Sequence, residues 1–182
     1  MESERIIQYI DSLVEEVNET FKNLSNDPVE RVNYLFLIEA SLGHLNEVAS
    51  LLKTPNVDPS FENNLAIILA SAYGHLELVE LLLSEPDVNP GDNQNFAIMV
   101  ASAAGHTEIV KSLLSSPNVN PADNQNFAII NAAEAGHLEV VKLLLNNPNV
   151  DPTDQDNEAF LRAIFYGHLE VVKVLLQSPR ID

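Results

Sequence analysis

The dipeptide Gly-His returns five times, at Gly43-His44, Gly74-His75, Gly105-His106, Gly136-His137 and Gly167-His168, each pair 31 residues after the one before. A fixed period of this length marks one supersecondary unit copied and stacked, so the 182 residues count units rather than the volume of a single globular core. All five histidines and five of the six glycines sit in these pairs, which ties both residue types to the repeat itself.

The units phase best as 28–58, 59–89, 90–120, 121–151 and 152–182, each opening on a proline: Pro28, Pro59, Pro90, Pro121 and Pro152. The fourth shows the plan. A first helix runs through Asn126-Phe127-Ala128-Ile129-Ile130-Asn131-Ala132-Ala133-Glu134, and Gly136 ends it, because a left-handed C-cap costs least without a β-carbon. A second helix starts at His137, with Glu139 near its beginning and Lys142 further on, as the helix dipole favours. A second proline closes it (Pro55, Pro86, Pro117, Pro148, Pro179), and Asn, Asp and Pro supply the turn to the next unit.

Alignment of the repeats on one another predicts the core. One column of the second helix is always valine (Val48, Val79, Val110, Val141, Val172) and two are always leucine (Leu51, Leu82, Leu113, Leu144, Leu175 and Leu52, Leu83, Leu114, Leu145, Leu176). Spacings of three and four put these on one face. The first helix carries a small pair in each middle repeat, Ala70-Ser71, Ala101-Ser102 and Ala132-Ala133, which predicts a helix squeezed between its neighbours. At the end of the array the same places hold Ala163-Ile164, so the last repeat is only half adapted to lacking a neighbour.

Ahead of the repeats, residues 4–24 predict one amphipathic helix: Ile6, Ile7, Ile10, Leu13, Val14, Val17, Phe21 and Leu24 make a single apolar stripe. Shifted by 31 residues, Val17 falls on Val48 and Asp27-Pro28 on Asp58-Pro59. We therefore expect residues 1–27 to form an N-terminal capping helix over the apolar end of the stack.

The net charge of −18 argues against nucleic acid or an anionic membrane as partner and for a basic protein surface. With no cysteine there is no disulfide framework and no thiolate metal site, which fits a cytoplasmic setting. No run is long enough to span a bilayer, and the acidic start Met-Glu-Ser-Glu does not suit a signal peptide.

The pattern Ala-Gly-His-Leu-Glu-Val-Val-Lys-Leu-Leu-Leu at 135–145, the small pair before each glycine and the Val-Asn or Val-Asp at 57–58, 88–89, 119–120 and 150–151 together resemble the ankyrin repeat. The resemblance covers about 28–182. It implies an all-α, ankyrin-like helical solenoid of stacked antiparallel helix pairs with short β-turn finger loops. The chain departs from the family in its shorter unit, in a single proline where the family has Gly-Ala after the second helix, and in Phe96-Ala97-Ile98-Met99 and Phe127-Ala128-Ile129-Ile130 where the family has Thr-Pro-Leu-His. The hydrogen bonds of that Thr and His are then missing, and apolar packing is expected to substitute.

Little chemistry is predicted. Equivalent histidines on stacked helices lie roughly 8–10 Å apart, too far to share one ion, so each is read as a helix-start residue bonding locally. The acidic loop 151–158 lacks the turn glycine and distal glutamate of a calcium loop and reads as turn and cap chemistry. No nucleophile elbow, phosphate loop or zinc-protease motif occurs. The chain is expected to be non-catalytic, without cofactor or metal.

The resemblance implies a protein-binding surface on the concave first-helix face and the fingers. Carried over by column, its residues are Ile38, Leu42, Leu69, Tyr73, Val100, Ala104, Asn131, Glu134, Arg162, Phe165 and Tyr166, with Phe61, Asn93, Asn124 and Asp156 at the finger tips. Aromatic anchors among them suit interface hot spots. The expected partner is a protein; a structural scaffold or spacer within a larger protein, or a designed repeat without a ligand, is the alternative. A monomer is the expected state, with weak pairing through the C-terminal end as the other option.

Overall fold

The computed structural model describes residues 2–24 and 27–178; the closing proline Pro179 and Arg180-Ile181-Asp182 lie outside the described residues. The described chain is all helical, in the order α1 (Glu2–Asn23), α2 (Pro28–Leu42), α3 (Leu45–Leu51), α4 (Phe61–Tyr73), α5 (Leu76–Leu83), α6 (Asp92–Ala104), α7 (Thr107–Leu114), α8 (Asp123–Ala135), α9 (Leu138–Leu145), α10 (Asp154–Phe165) and α11 (Leu169–Leu176). Each repeat is one antiparallel pair, from α2–α3 to α10–α11. The first helices α2, α4, α6, α8 and α10 form an inner layer in which each packs on the next, and α3, α5, α7, α9 and α11 form a looser outer layer.

The predicted columns explain this difference. Ala70, Ser71, Ala101, Ser102, Ala132 and Ala133 are all fully buried, and their small size lets the inner helices approach closely. In the outer layer Val79, Val110, Val141, Leu82, Leu113 and Leu144 are fully buried. The second leucine column is not: Leu83, Leu114 and Leu145 are half-buried, and Leu176 is exposed. An apolar side chain buried in full contributes roughly 1.5–3 kcal/mol, which only a stacked neighbour can supply here.

Glycine between the paired helices answers to two demands at once. Gly105 and Gly136 both have φ of +77°, the left-handed C-cap. A β-carbon on Gly136 would also stand 2.5 Å from the Nδ1 of His168, in the following repeat. The histidines accordingly do not bond locally, as their position had suggested. The Nε2–H of His75, His106, His137 and His168 donates to the carbonyl of Ser41, Ala72, Ala103 and Glu134 respectively, one repeat back, at 2.8–3.1 Å. A carbonyl only accepts, so Nε2 holds the proton, and burial pushes the pKa of His137 down. Only His44, with no repeat before it, bonds within its own unit, to Glu39.

The finger is a left-handed turn at the head of the inner helix. Asn93, Gln94 and Asn95 have φ of 52°, 58° and 60°, and the same conformation recurs at 62–64, 124–126 and 155–157. Asparagine tolerates this region better than most residues, and at the third place its side chain turns inward. Asn64, Asn95 and Asn126 are buried, and each bridges to the next repeat. Their Oδ1 atoms accept from the backbone N–H of Asn89, Asn120 and Asp151 at 2.9 Å. Their Nδ2 groups donate to Asp92, Asp123 and Asp154 at 2.6–2.8 Å. An asparagine ladder, and not apolar packing alone, thus ties each repeat to the next.

Candidate functional site

The inner layer's free face forms a groove, and α1 lies in it. This differs from the expectation that residues 1–27 would cover the end of the stack. The helix packs on α2, α6 and α8, with a lighter contact to α4, while Val29, Leu42 and Leu45 of the first repeat stay exposed. Its 22 residues span about 33 Å at 1.5 Å each, or about three to four repeat spacings. The length therefore suits a strap along the array better than a lid over one end.

Ser3, Ile10 and Val17 are the buried residues of α1, on the face turned to the groove. Beneath it Leu69, Val100 and Asn131, one column of α4, α6 and α8, have no exposure at all. Aromatic contacts hold the sides: Tyr9 meets Phe96 edge-on at 6.0 Å, and the guanidinium of Arg31 lies 4.8 Å above the ring of Phe21. Tyr73 donates its hydroxyl proton to Asp11 at 2.7 Å; burial, and then that bond, push its phenol up.

The start of α1 is closed by a buried carboxylate. The backbone N–H and the hydroxyl of Ser3 both donate to Oε1 of Glu134, at 2.9 and 3.1 Å. The other oxygen of Glu134 takes the Arg162 guanidinium, which also reaches Glu2 at 3.2 Å and Glu158 at 2.6 Å. Glu134 so caps the positive end of α1 from another repeat. Burial alone would push its pKa up, but the bonds from Ser3 and Arg162 outweigh that and hold it below the usual carboxylate range. Burial works against the charge of Arg162, but Glu158 and Glu134 outweigh it and raise its pKa. Beside this latch an open cleft of about 640 Å³ is lined by Glu2, Arg5, Arg162, Leu161, Phe165 and Tyr166, among others.

The chain belongs to the ankyrin-repeat family. The family described as ankyrin repeats (3 copies) matches over residues 36–124 and 98–182, nearly the whole array. No curated protein matches the chain. Ankyrin repeats are generally protein–protein interaction modules. No helix among the described residues is long and apolar enough to cross a membrane. No group of three or more His, Asp or Glu side chains among them is placed to hold a metal ion. In the acidic loop Asp151 accepts from Thr153, and Asp154 from Asn126 and Gln155, as turn and ladder residues do.

The concave residues read from the sequence divide by where α1 lies. Leu69, Val100, Asn131 and Glu134 are buried, so they are not free surface as expected. Ile38, Ala104, Tyr73 and Arg162 are half-buried. Leu42, Phe165 and Tyr166 are exposed, Phe165 to 80%. At the fingers Asn93, Asn124 and Asp156 are exposed, whereas Phe61 packs edge-on against Tyr34 at 5.2 Å. Sequence reasoning missed α1 as the occupant of the groove, and missed the ladder. The ladder did leave a signal, since Asn33, Asn64, Asn95, Asn126 and Asn157 keep the 31-residue period.

Proposed function

We propose that this ankyrin array is a non-catalytic interaction module that docks a protein partner on its inner groove and finger tips. The observation that supports this reading is the seating of α1. The groove takes an amphipathic helix along its apolar floor and fixes its two flanks with polar and aromatic contacts, which is the helix-in-groove mode of recognition. The net charge of −18 favours a partner with basic surface around that helix, and a chain without cysteine suits a cytoplasmic setting.

Site-specific photocrosslinking in lysate of the source cells tests the reading. A photoreactive residue replaces Tyr73 at the groove, Asn93 at a finger tip, or Glu108 on the outer layer. The expected outcome is one protein crosslinked from the first two positions and not from the third. Crosslinks from Glu108 alone, or from none, would favour a scaffold or spacer.

A further inference from the structure

We propose that Asn131 is a specificity residue of the groove: it selects a partner helix that offers a hydrogen-bonding side chain at its level, and α1 is the exchangeable occupant such a helix displaces. The inference rests on the groove being a helix receptor and adds what that receptor reads.

Asn131 stands in a column whose other buried members are leucine and valine, Leu69 and Val100. It is fully buried, and neither Nδ2 nor Oδ1 has a hydrogen-bond partner among the described residues. It lies one helical turn before Glu134, on the same face of α8, and so under the first turns of α1. There α1 has little to give it. Ser3 has spent both its N–H and its hydroxyl on Glu134, and the next residues along the groove face are Ile6 and Ile10. An amide buried without a partner weakens the closed state by roughly tenfold or more, a loss that an apolar residue in the same column would not incur.

That mismatch is what an incoming helix can exploit. Covalent linkage to α2 presents α1 at an effective concentration on the order of mM, so a free partner at micromolar concentration needs contacts that α1 lacks. A glutamine facing Asn131 supplies one of them. A helix reaching further over the fifth repeat supplies another, by covering Phe165 and Leu161 at the open cleft.

The test uses the full chain with a protease site inserted between residues 24 and 27, cleaved after folding. Labelled peptides of residues 2–24 then compete with the resident helix: the native sequence, I6Q and I10Q. Each is titrated into the wild-type array, Asn131→Val and Asn131→Leu, both of which copy residues already used in the column. Thermal unfolding identifies the variant that folds. We expect the native peptide to exchange into the wild-type groove and to bind the apolar variant about tenfold tighter. One of the glutamine peptides should bind the wild-type groove better than it binds the variant. If native peptide exchanges but both glutamine peptides lose equally on either array, Asn131 selects nothing and this inference falls while the groove reading stands. If no native peptide exchanges at all, α1 is a permanent strap and both fall.

Discussion

The fourth and fifth repeats carry almost the same second helix, Leu138-Glu139-Val140-Val141-Lys142-Leu143-Leu144-Leu145 against Leu169-Glu170-Val171-Val172-Lys173-Val174-Leu175-Leu176, and live in different surroundings. Ala133 is fully buried, but its counterpart Ile164 is 50% exposed. Leu138 is half-buried and Leu169 exposed. The imidazole of His168 stands where a β-carbon on Gly136 would go, while no atom of the described residues stands within 4 Å of a β-carbon built on Gly167. The repeat motif therefore dictates the helix pair, whereas the neighbour decides how much each residue of it contributes. In a quasi-one-dimensional stack, equal sequence does not mean equal energy.

The sharpest way to break this comparison is to change both glycines to alanine. Both sit in the left-handed region, φ 77° for Gly136 and 80° for Gly167, where a β-carbon costs about 1–2 kcal/mol. Gly136→Ala must also displace His168, adding about 1–3 kcal/mol of overpacking. Urea unfolding should show Gly136→Ala losing roughly 2–5 kcal/mol, and Gly167→Ala only the first part of that. Equal losses would mean that the inter-repeat histidine contact carries nothing.

The asparagine ladder gives a second, smaller contrast. Asn126→Asp keeps the acceptor for the N–H of Asp151 and the left-handed turn, but turns its donor bond to Asp154 into a meeting of two carboxylates. Loss of a buried bond that ends on a charge costs about 1.5–3 kcal/mol. Asn157 has no following aspartate among the described residues, so Asn157→Asp should cost about 0.5 kcal/mol or less, the range of an ordinary surface change. Unfolding curves at neutral pH would separate the two. Comparable losses would place the ladder's value within the repeat instead of between repeats.

What could be read from the sequence follows the same division. The helix pairs, the Gly caps and the small inner column repeat every 31 residues, and repetition exposes local and nearest-neighbour constraints. Val141 and Leu144 announce their burial because all five copies carry the same residue. The seat of α1 is contact between a segment that occurs once and a surface assembled from four repeats. Ile6, Ile10 and Val17 declare an apolar stripe without naming what it meets, and the stripe fits an end cap as well as a strap. Glu134 shows the limit well. In its column it is an acid among Ser41, Ala72, Ala103 and Phe165, with nothing local to mark it as the partner of Ser3, 131 residues away. The ladder was legible in principle: its asparagines keep the period but look like ordinary turn residues until their inward direction is seen.

The latch that joins α1 to both repeats gives the smallest effect, and it can be separated from the stack by pH. Glu134 of the fourth repeat holds Ser3, and Arg162 of the fifth holds Glu134 and Glu2. The pKa of Glu134 is depressed in the folded chain from its ordinary value of 4.5. A depressed carboxylate stabilises the state in which it is ionised. Its contribution is fully present above about pH 4.5 and is lost as pH falls through the lower folded value. The low end of the range for a bond that ends on a charge, about 1.5 kcal/mol, is enough to change local opening roughly tenfold. Amide protection across residues 3–8, corrected for intrinsic exchange rates, should therefore hold constant from pH 7 to 5 and fall below pH 4.5. The amides of 138–145, which lean on no such carboxylate, give the reference. Glu134→Gln keeps the shape but not the charge, so its protection at residues 3–8 should start lower at pH 7 and show no Glu134-linked fall. Wild-type protection that stays level down to pH 3.5, with α9 intact, would show that apolar contacts alone seat α1 and that the latch between the two repeats contributes nothing to it.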